Sequence, residues 1–433
     1  MEKTTTTKLH QKCQVLLIGN HMNLLCPPFR KLDFFDKIID ESDDSLTPLI
    51  IYPLGNPVLA KEKTTWFICH TYNSFFHFRY GFAGNAPEES FKKGGELDIQ
   101  ILRKRENKWL HMLDYWDKYM MTRFKKVRQR CRKGIPSSIR PRAWQHLCGA
   151  KYRMTKHPGA FNRYLSEPGE AKWIDDIQKD LHRNFPNHEL FGGTYERIGQ
   201  SELFKVLKAY TVYNPTEGYC QAQAPIAAAL LMTMPAEEAF WCLVCICENY
   251  IPGYYSAGME AIQLEGDVLL GLLKKAAPNV HKHLKKQGIE PILFMTEWFL
   301  CLFTRTLPWS CVLRIWDIFL FEGVKILFRV ALVLLKASLP KRVRSQCPSM
   351  FETLEALKSV PPGLRDEEFL VAEMVRLEIT DDDMRKEHAK QVLLRSKAAS
   401  KWYLIWHFIT PSHRKRILYV PSKRTTSHNP ASF

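Results

Sequence analysis

The sequence predicts an all-α protein, a multi-helix domain with N- and C-terminal extensions. Three observations lead there. From Gly218 to about Leu339, apolar residues recur three and four apart, the spacing of one helix face. Pro252-Gly253, Pro278, Pro291 and Pro308 divide that stretch into lengths typical of helices. No convincing alternation of apolar and polar residues, the mark of a half-buried strand, appears within it.

Taken in order, residues 1–75 form an unassigned N-terminal extension. Short strand-like runs at Gln14–Ile18 and Leu49–Tyr52 are punctuated by Pro27, Pro28, Pro48, Pro53 and Pro57. Residues 76–133 read as a basic amphipathic lead-in. Within it Ile101–Val127 is expected to be helical, with Trp109, Leu113, Trp116, Met120, Phe124 and Val127 on one face docked against the domain that follows. The domain itself spans 134–340. Gly134-Ile-Pro-Ser-Ser138 is a loop leading into a helix with Pro141 in its first turn. Arg140 and Trp144, four apart, share a face, and a buried tryptophan with a paired or stacked arginine is the expected arrangement. Helical segments then follow at Ala236–Tyr250, Ile262–Ala277, Pro291–Thr304, Ser310–Phe321 and Val324–Leu339. Residues 341–433 are a helical and basic tail. It has an acidic helix start at Thr380–Asp383, a basic helix to about Ser400, and an aromatic run from Trp402 to Ile409 ahead of Arg414-Lys415-Arg416.

Two stretches carry the chemistry. In Ile177-Gln-Lys-Asp180-Leu-His-Arg183 the helix stops at once, because Phe185-Pro186 follows and the residue before proline is steered out of the helical region. Arg183 therefore sits at a helix end, and Asp180, three residues earlier, is placed to orient it. In Gly218-Tyr219-Cys220-Gln221, Gln221 lies just before a helix that has Pro225 in its first turn. An arginine that neutralises charge on a transferring phosphoryl group and a glutamine that orients the attacking water are what GTP hydrolysis needs. Taken singly, each is more simply an ordinary helix-end or capping residue.

Together they resemble the TBC-domain family of Rab GTPase-activating proteins, through Ile-x-x-Asp-x-x-Arg followed by Tyr-x-Gln. Arg140-Pro-Arg-Ala-Trp144 resembles that family's opening motif. Leu307-Pro308-Trp309, Leu313-Arg-Ile-Trp316-Asp317 and Glu322-Gly323 resemble its later helical motif. The match runs from about Gly134 to Leu339. Glu217–Pro225 and Pro252-Gly-Tyr-Tyr255 are most similar to the subgroup containing carabin and whacked. Tyr80-Gly81-Phe82 resembles a short upstream segment of that subgroup, and an aromatic turn that packs locally is an equal reading. Where the wider family has Gly-Met-Asn after the glutamine, Ala222, Gln223 and Ala224 stand here, a change that bears on the flexibility of the loop. The resemblance implies a GTPase activator with Arg183 and Gln221 as catalytic fingers, supported by Asp180, Tyr219, Arg140 and Trp144. The implied partner is a GTP-bound Rab-family GTPase in vesicle trafficking, with GTP and Mg belonging to that partner and no cofactor or metal of the chain's own. A non-catalytic Rab-binding or scaffolding module is the alternative.

Charge bears on partners. Of the net +17, residues 103–133 carry +9 and residues 385–433 carry +10, leaving −2 elsewhere. The basic flanks make an anionic membrane surface a candidate partner. Nucleic acid is not expected, since no recognised nucleic-acid-binding motif accompanies them. The opening residues are polar, no apolar run is long enough to span a bilayer, and the 12 cysteines show no secreted framework. The expected location is cytoplasmic, or peripheral on endosomal or plasma membranes. Cys242-x-x-Cys245-x-Cys247 reads as buried core thiols, and His281-Lys-His283 as a solvated helix end.

Overall fold

The computed structural model describes residues 79–82 and 99–409, with side chains at 80–82 and 99–396. The expected strand-like runs before residue 75, the aromatic side chains from Trp402 onward and the basic run at 414–416 lie outside those residues. Among the described residues the protein is helical throughout, and the one strand-like feature is an isolated antiparallel bridge between Phe82 and His188.

The centre is the helix Gln223–Leu231, in which every residue is buried. Its apolar run leaves no solvated face, so it can exist only inside a bundle. The helices Glu196–Tyr213 and Ala236–Asn249 pack on it. Cys242, Cys245 and Cys247 are buried free thiols on the latter.

The helices Arg140–Cys148 and Trp309–Glu322 meet nearby, and their contact explains two of the sequence motifs. Asp317 is fully buried. It accepts hydrogen bonds from the Ile135 amide (2.7 Å), Trp144 Nε1 (2.8 Å) and Arg140, through Nε (3.0 Å) and Nη2 (3.2 Å). A buried carboxylate is tolerated when its lone pairs are all engaged, and here both oxygens have two donors. The Trp144 and Trp316 rings lie 5.4 Å apart beside it.

Four expectations are corrected. The lead-in is not one helix but three, Ile99–Asp114, Trp116–Thr122 and Phe124–Arg132, broken where Tyr115 (φ −114°) and Arg123 (φ −132°) leave helical geometry. The breaks turn the expected apolar face. Trp109, Leu113, Met120 and Val127 remain buried, whereas Phe124 is exposed and rests on Phe321 at 4.5 Å. The segment expected over Pro291–Thr304 is helical only from Ile292 to Leu300, because Leu302 (φ 48°) and Phe303 (φ 62°) turn left-handed. The last helix runs from Asp381 to Ile409, past Ser400. Thr380 and Asp383 cap its start reciprocally, and Arg395 reaches Asp267 on the helix Glu260–Ala276 at 2.8 Å. His283 is not merely solvated, since its Nε2 lies 2.9 Å from the buried Thr353 hydroxyl.

Residues of the lead-in, from Trp109, and of the C-terminal segment, to Met384, join the same hydrophobic core as the central helices. Among the described residues no helix is long and apolar enough to cross a membrane.

Candidate functional site

The helix Ala171–Asp180 passes into a single 3-10 turn, Leu181–Arg183. Arg183 is the last residue of that turn, at the helix end as expected, and Asn184 is already extended (φ −89°, ψ 114°). Its side-chain amide donates to the Asp180 carbonyl (2.6 Å), capping the freed end. Phe185, before the proline, leaves the helical region as expected, and does so into the left-handed one (φ 48°). That geometry is unfavourable for a large side chain and must be held by its surroundings. The result is a tight turn that leaves Arg183 partly open to solvent, with 43% of its side chain exposed.

Asp180 is the hinge of the site. Its Oδ1 pairs with Arg183 Nη2, and its Oδ2 accepts a hydrogen bond from the Tyr219 hydroxyl at 2.8 Å. One buried carboxylate thus holds the arginine turn and the glutamine loop together. Burial, reinforced by the bond to Asp180, pushes the Tyr219 phenol up, so it stays protonated and donating.

The glutamine loop is braced by contacts that the sequence showed only in part. Gly218 is left-handed (φ +66°), and a Cβ there would lie 2.4 Å from Trp173, so only glycine fits. Glu217 Oε1 accepts from Tyr210 (3.1 Å) and from Gln223 Nε2 (3.2 Å), and its amide donates to Asn214 Oδ1 (3.3 Å). Gln223 Oε1 in turn accepts from the Cys220 amide (3.0 Å). Burial is the main cause raising the Glu217 carboxyl. Gln221 itself is exposed at the end of this braced loop, directly before the buried helix Gln223–Leu231. Ala222 is right-handed (φ −70°), so the alanine where glycine is usual imposes no strain.

The structure therefore brings together Asp180, Arg183 and Tyr219, with Gln221 two residues beyond. Arg140 and Trp144 are engaged elsewhere, on Asp317. Sequence reasoning missed Asn184, Glu217 and Gln223. Glu217 and Gly218 fell within a visible turn signal, but the buried Gln223 gave none. It also missed a cavity of about 500 Å³ beside the arginine, lined by Arg183, Phe185, Pro225, Arg305, Trp309 and Phe82. Phe82 comes from the Tyr80–Phe82 segment, which packs not locally but on a turn more than one hundred residues away.

An all-helical domain that presents an arginine and a glutamine from two coupled loops can be compared with known proteins. The family description "Rab-GTPase-TBC domain" matches residues 137–341. TBC1 domain family member whacked of Drosophila melanogaster is 48% identical over 320 residues, 74% of this chain and 88% of that protein. The chain belongs to the Rab-GTPase-TBC domain family. Within it, the chain is similar to the subgroup of whacked and mouse Carabin, the latter 46% identical over 74% of this chain and 72% of its own length. It is also 55% identical to mouse TBC1 domain family member 10A over 69% of this chain, but spans only 59% of that protein. It spans 41% of the human 10B relative. Among solved structures, a Chlamydomonas flagellar RabGAP TBC domain matches with a TM-score of 0.54 and 26% identity, over 68% of this chain and 98% of that one.

Proposed function

We propose that this chain accelerates GTP hydrolysis on a Rab-family GTPase by inserting Arg183 and Gln221 beside a nucleotide that the GTPase holds together with its Mg. The observation that carries the reading is the single Asp180 side chain bound to both Arg183 and Tyr219. Two groups that must act on one phosphoryl have to be fixed relative to each other, and this carboxylate ties their loops. Arg183 neutralises charge on the transferring group, and Gln221 orients the water in place of the GTPase's own glutamine. Nothing in the chain needs to bind nucleotide unaided.

The test is phosphate release from a panel of GTP-loaded Rabs. Arg183→Ala lowers stimulated hydrolysis by about 10³-fold or more. Binding to the GTP-loaded Rab persists, because the finger acts mainly in the transition state. Arg183→Lys fails as well, since a point charge cannot make the planar contacts. A chain that binds Rabs while Arg183→Ala leaves turnover unchanged is a non-catalytic binding module instead.

A further inference from the structure

We propose that Tyr80–Phe82 is a positioning element for Arg183, a clamp supplied from upstream of the domain that holds the arginine turn in its active shape; this rests on the function proposed above. The turn that carries Arg183 contains a strained residue, Phe185, and strain of this kind persists only where neighbours hold it. Trp309 and Phe191 supply two of those neighbours from within the domain, and this segment supplies the third. Phe82 pairs with His188 by an antiparallel backbone bridge. Its ring meets three others, His188 at 4.8 Å, Trp309 at 5.5 Å and Phe185 at 6.1 Å. Phe185 and Trp309 are 5.9 Å apart in turn, closing an aromatic cluster over the turn. Edge-on contacts of this kind add attraction beyond simple burial.

The polar contact is just as specific. His188 Nδ1 accepts from the Leu190 amide (3.1 Å), which leaves the proton on Nε2, and Nε2 donates to the Tyr80 carbonyl (3.0 Å). The fit is close on both sides. Tyr80 is itself left-handed (φ 63°), and a Cβ on Gly81 (φ +82°) would fall 2.6 Å from His188 Nε2. A short segment that adopts two left-handed residues to reach one histidine, and sets its aromatic ring beside Arg183 in the same cavity, is built for that turn. Its effect on chemistry is through Arg183, since a displacement of about 1 Å in a catalytic group can cost roughly 10²-fold in rate.

The experiment uses the full chain and the Rab on which it is most active. Phe82→Ala is expected to lower kcat of stimulated hydrolysis by about 10²-fold with little change in KM. Phe82→Tyr, which keeps the ring, restores most of it. Gly81→Ala, which drives a methyl into His188 without touching Phe82, gives a loss of the same kind and serves if Phe82→Ala does not fold. In the Arg183→Ala background, Phe82→Ala costs nothing further, because a group that acts through the arginine is silent once the arginine is gone. A raised KM at unchanged kcat would make Phe82 a partner contact and overturn the proposal, as would losses that add in the double variant. If Arg183→Ala alone has no effect, the underlying function fails instead, and the clamp has nothing to position.

Discussion

On the proposed reading Asp180 is a positioning residue, and little of such a role is visible in stability. Its pair with Arg183 is partly exposed, and such pairs contribute at most about 1 kcal/mol to folding. Its value lies in direction. An arginine side chain at a helix end samples many rotamers, and a fixed carboxylate with a second anchor at Tyr219 selects among them. Asp180→Asn keeps an acceptor for Tyr219 but loses the charge pairing. It is expected to cut stimulated hydrolysis by about 10-fold while shifting the denaturation midpoint by less than ~1 kcal/mol. A large stability loss with unchanged turnover would place Asp180 in the fold alone. Asp317 is the converse case. It is buried beneath Arg140 and Trp144, and Asp317→Ala strands the Arg140 guanidinium, whose side chain is only 13% exposed. The expected loss is about 3–5 kcal/mol, read from the urea midpoint at unchanged slope. Survival of the midpoint within about 1 kcal/mol would contradict this account of the two motifs.

At the scale of elements, the helix Glu260–Ala276 carries a buried acid that the site does not use. One oxygen of Glu265 is buried without a hydrogen-bond partner, and burial pushes its carboxyl up to about 8. The folded protein therefore holds a proton there at neutral pH that the unfolded chain releases. The resulting stability is full below the unfolded value, near 4.3, declines as pH rises, and levels off above about 8. Glu265→Gln is neutral at every pH and lacks this decline. Its stability relative to the parent should rise between pH 5 and 8, by no more than ~1.4 kcal/mol per unit, and then stay constant. Urea midpoints for both proteins at pH 5, 7 and 9 check this, and parallel curves would mean that Glu265 is solvated. The helices themselves were largely legible. Apolar spacing and proline punctuation marked the elements between Ala236 and Ser338 because helices that bury one face must repeat their apolar residues. The breaks at Tyr115, Arg123 and Leu302 were not, since none carries glycine or proline to mark it.

Over its described residues the molecule is a helical bundle around the buried helix Gln223–Leu231, with the arginine turn and the glutamine loop joined at its edge. Both loops were legible through their resemblance to a family's motifs, whereas Arg183 and Gln221 taken singly read as ordinary helix-end or capping residues. The sequence did not show the bracing of Glu217 by Gln223 or the docking of Phe82, since contacts between residues far apart in the chain leave no local pattern. The central claim is that the chain supplies the glutamine as well as the arginine. The most direct measurement uses a Rab whose own switch glutamine has been replaced, loaded with GTP and mixed with the native chain or with Gln221→Ala. Hydrolysis on that Rab is expected to be stimulated by the native chain and lost with Gln221→Ala. A crippled Rab wholly insensitive to the native chain, when the intact Rab responds, would contradict the account.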